Sequence, residues 1–317
     1  MKIAYLTLHN IQAPEYQHFE YFSRVAQKNG CEAFLVGSQE EILAIDPDFV
    51  FVFGSFFPKL THHPHYGVVQ CPQEIIMKWP VGLAHTYTWD GYLTTSRSTE
   101  IWLREMLAHR FKDDAPMIGR FYVSADLQPF EENYKPEKLV YAGIGWDNRG
   151  IELFTRLYEL LGDRLEIYGK PHFWEPYNLP FYKGFVETTN GLLDHYRRAA
   201  VLSFSNPLYL RDDVMTTRMH EASSVGAVTI APRTPTTMLM YGETLYYYDG
   251  FASAEAQAQE IADLFNKAAA DPQRDVKRKQ AHDIFNATES LTFHFPALLR
   301  YHDYMQARRR GAVMKAG

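Results

Sequence analysis

The chain has little cysteine: Cys31 and Cys71 are the only two among 317 residues. With no metal-type spacing between them, they exclude a disulfide framework and a cysteine-built zinc site, and they fit a reducing compartment. The chain also lacks any apolar run near the roughly 20 residues needed to cross a bilayer. Lys2 to Leu8 is expected to form a strand rather than the start of a signal peptide, so a cytoplasmic location is expected. There is no excess of positive charge. The formal net charge of −6 argues against general attraction to nucleic acid, and no nucleic-acid partner is expected. The one basic run, Arg308 to Arg310 with Lys315, lies at the C-terminus and suits at most a peripheral contact with the inner membrane face. No G-x-G-x-x-G follows the first expected strand, which disfavours a nicotinamide dehydrogenase.

What is present is ample apolar material. Hydrophobic residues make up 46% and aromatics 15%, with 21 Tyr and 21 Phe, enough for two cores of about 130 to 160 residues each. Short buried-strand runs at Lys2 to Leu8, Glu32 to Val36 and Asp48 to Phe53 alternate with helical segments. In the first of these segments, Pro14 to Gly30, Phe19, Phe22 and Val25 recur at helical spacing, which gives a Rossmann-like opening. Further strands are predicted over Pro80 to His85, Tyr92 to Thr95 and Gly119 to Val123, and a helix over Thr99 to Arg110. The polar, proline-bearing stretch Asp126 to Glu137 reads as an interdomain linker.

A second alternation follows, with strands over Lys138 to Ile144, Leu165 to Tyr168 and Ala200 to Phe204, and helices over Arg149 to Leu161 and Leu192 to Ala199. A last strand is expected at Thr244 to Tyr248, then helices N-capped by Ser253 and Asp271. The aromatic segment from Glu289 is expected to return to the first domain. The predicted fold is α/β, with two Rossmann-like domains facing across a cleft, divided as residues 1–130, 131–288 and a returning helix at 289–317.

The most informative stretch is Arg218 to Pro232, read as a helix, a glycine stop at Gly226 and a buried strand from Ala227 to Ala231. Arg218 and Glu221 are three apart, hence on one helix face, with Glu221 expected near the helix start. A fixed cation and carboxylate suit a charged, hydroxyl-rich ligand such as a nucleotide sugar; a surface ion pair is the plain alternative. Upstream, Gly143 and Gly145 with Arg149 form a turn suited to a diphosphate at a helix N-terminus, and Lys170 offers a further cation or a solvated side chain. Asp213, eight residues before Glu221, reads equally as a sugar contact or as an ordinary N-terminal helix acid.

In the first half, His62, His63 and His65 follow Gly54 in an aromatic loop. No carboxylate or thiolate accompanies them at ligand spacing and Pro64 divides them, so a loop over a substrate cleft is preferred and no metal is expected. His85 and Asp90 suit a general base or a sugar contact, with a hydrogen-bonded core histidine as the alternative; with His63 they make the expected acceptor surface.

Taken together, the second half resembles the nucleotide-sugar half of GT-B glycosyltransferases, particularly the spore-maturation, glycosyltransferase-like group related to retaining family 4. Arg218 to Val228 is similar to that group's Arg-x-x-Glu-Ala-x-x-x-Gly motif. Val140 to Gly150 is similar to the strand, glycine turn and Lys/Arg-Gly that open the donor domain, and Phe121 to Asp126 with Phe130 to the segment closing the first domain. Two departures stand out: Asp213 replaces the first glutamate of the Glu-x7-Glu motif, and Ile144 sits where many family 4 enzymes carry a phosphate-binding arginine.

The resemblance implies that Glu221 contacts the donor ribose, that Arg149, with Arg218 or Lys170 beside it, holds phosphate, that Asp213 faces the transferred sugar, and that His85 serves the acceptor. It implies retaining, metal-independent transfer from a nucleotide-sugar donor to a hydroxyl of a glycan, glycolipid or other cell-surface acceptor, with no cofactor. A different sugar-nucleotide enzyme, such as an epimerase or a transferase using a cytidine monophosphate sugar, and a non-catalytic carbohydrate-binding protein are the readings left beside it.

Overall fold

The computed structural model describes residues 1–8, 14–108, 117–132, 134–143 and 150–316. The chain divides into two compact units, one of Met1–Asp126 with Glu289–Gly317 and one of Leu127–Thr288. Each is an α/β unit around a wholly parallel sheet.

In the first unit the elements run β1 (Lys2–Leu6), α1 (Pro14–Lys28), β2 (Glu32–Val36), α2 (Gln39–Ile45), β3 (Phe49–Phe53), β4 (His65–Val69), α3 (Gln73–Met77), α4 (Pro80–Thr86), β5 (Gly91–Thr94), α5 (Arg97–Leu107) and β6 (Ile118–Arg120). The strand order is β2-β1-β3-β4-β5-β6. β3, Phe-Val-Phe-Val-Phe, is buried at every position, as a central parallel strand covered on both faces must be. Its Val50 and Val52 share one core with Leu6, Trp89 and Leu103. Gly67 in β4 is held to glycine by Trp89, whose indole occupies the space a β-carbon would need.

The predicted strand at Pro80–His85 is instead the helix α4. Proline is well tolerated in a first helical turn, where the missing N–H would have no partner, and a six-residue apolar run does not by itself distinguish strand from helix.

The second unit runs β7 (Lys138–Ala142), α6 (Ile151–Leu161), β8 (Leu165–Tyr168), α7 (Pro171–Trp174), α8 (Thr189–Tyr196), β9 (Ala199–Leu202), α9 (Pro207–Arg211), α10 (Thr217–Ser224), β10 (Thr229–Pro232), α11 (Pro235–Tyr241), β11 (Tyr246–Tyr248), α12 (Ala254–Ala270) and α13 (Arg274–Thr288). Its strand order is β11-β10-β9-β7-β8. Tyr141, Phe154, Trp174, Ile230 and Phe265 lie in one core. Ser253 caps α12 as predicted, accepting from the Ala256 N–H.

The stretch read as a polar linker is in part firmly held. The buried guanidinium of Arg278 donates to the Glu131 carbonyl at 2.9 Å and lies 3.9 Å from the Tyr134 ring centroid, while His282 meets the Gln128 carbonyl at 2.9 Å. These contacts place Gln128, Glu131 and Tyr134 against α13, and nothing in the local composition reveals them.

The chain ends in α14 (Leu291–Ala316), which belongs to the first unit. Phe295 lies edge-on to Phe22 at 5.2 Å, and the Tyr301 hydroxyl accepts the Tyr92 N–H at 2.9 Å and donates to the Met117 carbonyl at 3.0 Å. The return of the C-terminal helix to the first domain is thus as expected.

Candidate functional site

In the second sheet the chain runs outward from β7 in both directions, to β8 on one side and to β9, β10 and β11 on the other. The C-terminal ends of β7 and β9 therefore flank a topological switch point, the crevice where open α/β sheets gather ligands. Arg218, from α10, spans it. Its Nε donates to the carbonyl of Ala142, the last residue of β7, and its Nη1 donates at 2.9 Å to the carbonyl of Phe204, two residues beyond β9. The guanidinium carbon lies 4.2 Å from the Tyr141 ring centroid. Two of the five arginine N–H donors are thereby fixed, so Arg218 acts as a clamp as well as a charge.

The approach requires glycine at 143, because a β-carbon there would strike Arg218 Nη2 and the Tyr141 hydroxyl. Gly143 is held on its other side too: its N–H donates to the Tyr168 carbonyl at 2.9 Å, and its carbonyl accepts from Trp174 Nε1 at 3.0 Å. A β-carbon on Gly169 would collide with the Gly143 carbonyl, so the ends of β7 and β8 are in close contact. Lys170 follows directly, at the N-cap of α7, and among the described residues it has no ion-pair partner. Gly145 and Arg149 lie outside the described residues.

Glu221 stands in the second turn of α10 rather than at its start. The residue is partly exposed, yet burial of its carboxyl pushes its pKa from 4.5 up to about 7, against the lowering effect of Arg218. A carboxylate held this close to neutrality gains from any ligand donor that compensates its desolvation.

Asp213 is not the N-terminal acid of the helix that bears Glu221, which begins at Thr217. It takes a left-handed backbone, φ 52°, and its Oδ2 accepts from Thr236 Oγ1 at 2.6 Å and from the Thr236 N–H at 3.1 Å. Its carboxylate thus caps the start of α11, not α10. Tyr141 and Trp174 are members of this site that the sequence did not mark; their aromatic positions in a strand and a short helix carry the same signal as ordinary core.

In the first unit His85 does not come together with the other expected acceptor residues, Asp90 and His63, which both meet His65. The His85 Nδ1–H donates to the carbonyl of Ser55, two residues beyond β3, at 3.1 Å, and the ring lies edge-on to Trp79 at 6.4 Å. Asp90 lies just before β5, at the opposite edge of the sheet. It accepts from Lys59 at 2.8 Å, from the His65 N–H at 2.8 Å and from Arg309 of the C-terminal basic run. The loop from Ser55 therefore begins at the C-terminal end of β3 but delivers its histidines to the N-terminal end of β4, away from where ligands collect.

His65 is buried between the Leu60 N–H, which it accepts at 3.2 Å, and the His63 carbonyl, to which it donates at 2.8 Å. Burial lowers its pKa to about 4 and keeps it neutral. His63 faces Asp46, Nε2 to Oδ1 at 3.0 Å. A cavity of 290 Å³ in this unit is lined by Thr7, Leu8, Gly37, Ser38, Glu41 and Phe57, none of them an expected site residue. It offers one acid and no cation, so the charged crevice of the second unit is the stronger candidate.

No family model matches the chain, and no curated protein matches it in sequence. Solved structures do match in fold. An α-glucosyltransferase in complex with UDP-glucose and DNA containing an abasic site is 10% identical with a TM-score of 0.68, over 96% of this chain and 99% of that one. Sucrose-phosphate synthase from Thermosynechococcus elongatus is 11% identical at a TM-score of 0.62, over 95% and 98%. The pneumococcal O-GlcNAc transferase in complex with UDP and GlcNAc is 12% identical at a TM-score of 0.61, over 84% of this chain and 59% of that one.

The chain has the GT-B fold of two Rossmann-like domains. Further similar structures, again of an α-glucosyltransferase, hold a 13-mer DNA containing an HMU base. These complexes overturn the expectation of no nucleic-acid partner, since structures of this fold hold DNA. Among the described residues no helix is long and apolar enough to cross a membrane.

Proposed function

We propose that this chain is a glycosyltransferase whose nucleotide-sugar donor binds residues 127–288, with a uridine diphosphate sugar as the first donor to test. The observation that carries the reading is the position of Arg218 and Glu221: a clamped cation beside a carboxyl of raised pKa, at the switch point of a parallel sheet. The glycosyltransferase structures of the same fold that hold UDP or UDP-glucose support it.

In this reading Glu221, ionised, accepts from ribose hydroxyls. Lys170 and Arg149 oppose the diphosphate, Gly143 allows the backbone to approach it, and Arg218 keeps the crevice in shape while adding positive charge. Asp213 is assigned to the transferred sugar, its carboxylate aimed by Thr236. The bond from the anomeric carbon to the leaving phosphate oxygen breaks, a bond to the acceptor oxygen forms, and the acceptor proton leaves on the departing phosphate. Retention of configuration, independence of metal in this step and membership of the spore-maturation, family 4-related group are parts of the proposal, resting on the Arg-x-x-Glu-Ala-x-x-x-Gly likeness.

His85 is assigned to the acceptor. With Nδ1–H donating to Ser55, its Nε2 is the ring atom left to accept from a hydroxyl. A glycan or glycolipid hydroxyl is the first acceptor reading, and a hydroxyl on DNA is the second, favoured by the complexes that hold DNA.

A melting-temperature screen against uridine, guanosine, adenosine, thymidine and cytidine nucleotides tests the donor, since ligand at 100 times its Kd adds about 2.7 kcal/mol. A selective shift that Glu221→Ala abolishes is the expected result; no shift with any nucleotide overturns the reading. Transfer from the selected donor to a glycan panel or to hydroxymethylated duplex DNA then decides the acceptor.

A further inference from the structure

The histidine-rich turn before β4 contains a group that the donor reading does not use. Asp46, the left-handed C-cap of α2 at φ 51°, presents a side chain that is 84% exposed. Its Oδ1 lies 3.0 Å from Nε2 of His63, whose side chain is only 7% exposed. On its far side the His63 ring is held by Thr61, Oγ1 to Nδ1 at 3.0 Å. The exposed ring of His62 lies against His63 with centroids 4.1 Å apart. One ligand atom from each of Asp46, His62 and His63 falls within 4.8 Å of the others.

We propose that Asp46, His62 and His63 form a binding site for a borderline divalent transition metal, with zinc as the reference ion. Two imidazoles and a carboxylate are the donor set such ions take, leaving one coordination position for water. Ligands sharing bonds of about 2.0 to 2.1 Å at tetrahedral angles sit about 3.3 Å apart. The Asp46–His63 separation is already close to that, and rotation of the exposed His62 closes the third side. Thr61 supplies the outer hydrogen bond that orients a metal-bound histidine.

The carboxylate is 17 residues from His63 in sequence, so local spacing hides it. The site joins the loop entering β3 to the turn entering β4, at the N-terminal edge of the first sheet, and so acts as a clasp on two neighbouring strands, separate from the chemistry assigned to the second unit.

The test is a zinc titration of the full chain against a chromogenic chelator, with cobalt absorption in the visible as a geometric readout. His62→Ala and Asp46→Asn are the informative variants: both side chains are exposed, and asparagine tolerates the left-handed backbone, so both should fold. His172→Ala serves as a surface-histidine control. The expected result is one equivalent bound at micromolar Kd, weakened tenfold or more by either variant and unchanged by the control. Equal affinity and stoichiometry in all four proteins, or cobalt bands that persist in His62→Ala, would mean adventitious surface binding only and overturn the proposal.

Discussion

At the N-terminal edge of the first sheet, Asp90 is closed in by Lys59, Arg309 and the His65 N–H, and His65 in turn by Leu60 and His63. At the C-terminal edge of the second sheet, Arg218 is anchored to two carbonyls, Glu221 is left with a raised pKa, and Lys170 has no ion-pair partner among the described residues. The two units share one plan: parallel strands, helices on both faces and a switch point. What separates these two edges is whether their charged groups satisfy one another. Charges that complete their own network hold a fold together, whereas charges left incomplete at a switch point await a ligand.

The sharpest way to break this contrast is Arg218→Leu. It leaves the Ala142 and Phe204 carbonyls without their donor, at a cost of about 1 to 3 kcal/mol each where they stay dry, and it removes the clamp on the crevice. Loss of the nucleotide-induced rise in melting temperature and a fall in kcat/KM of about a hundredfold or more are expected, read by calorimetry and by product formation. Gly143→Ala should act in the same direction with Arg218 intact, since the added methyl displaces the guanidinium; overpacking of this kind costs roughly 1 to 3 kcal/mol.

The matching change in the first unit is Asp90→Ala. It should lower stability by about 1 to 3 kcal/mol, by leaving Lys59 and the His65 N–H without their acceptor, yet leave the nucleotide shift untouched. An equal loss of nucleotide binding would erase the distinction between the units.

A pH series sharpens it. The folded pKa of Glu221 is raised from 4.5 to about 7, so its stabilising contribution is complete below about pH 4.5 and is lost as the pH rises to about 7. Glu221→Gln should therefore gain on the wild type between pH 5 and pH 8, by on the order of 2 kcal/mol once residual solvent access is allowed for. Donor binding should run the opposite way, strengthening through the same window, because ribose hydroxyls need the ionised form. The smallest expected effect is that of Asp213→Asn, which keeps the left-handed backbone but weakens the cap on α11 by about 1 kcal/mol or less, with a larger drop in kcat than in stability if Asp213 meets the sugar.

Much of the fold is legible because its signals are local. The run of β3, the stop at Gly226 and the cap at Ser253 each rest on residues within a few positions of one another. Pro80–His85 misleads because a short apolar run fits both a strand and a proline-led helix. At the site, the pairing of Arg218 with Glu221 is visible in the helical spacing, but the carbonyls that Arg218 grips come from positions 142 and 204 and depend on strand order. Asp213 points to Thr236, and Asp46 to His63, for the same reason: partners that tertiary structure supplies leave no trace in spacing.

The first unit is built from two pieces of chain, and this has a consequence for its synthesis. Tyr301 and Phe295, which complete its core around Tyr92 and Phe22, are translated only after the whole of Leu127–Thr288. At about 5 to 20 residues per second, the ribosome leaves the N-terminal segment waiting on the order of ten to thirty seconds for its last helix. During that interval the second unit, continuous in sequence, can fold alone. The nascent chain would thus complete its second unit before its first, the reverse of the order in which they begin.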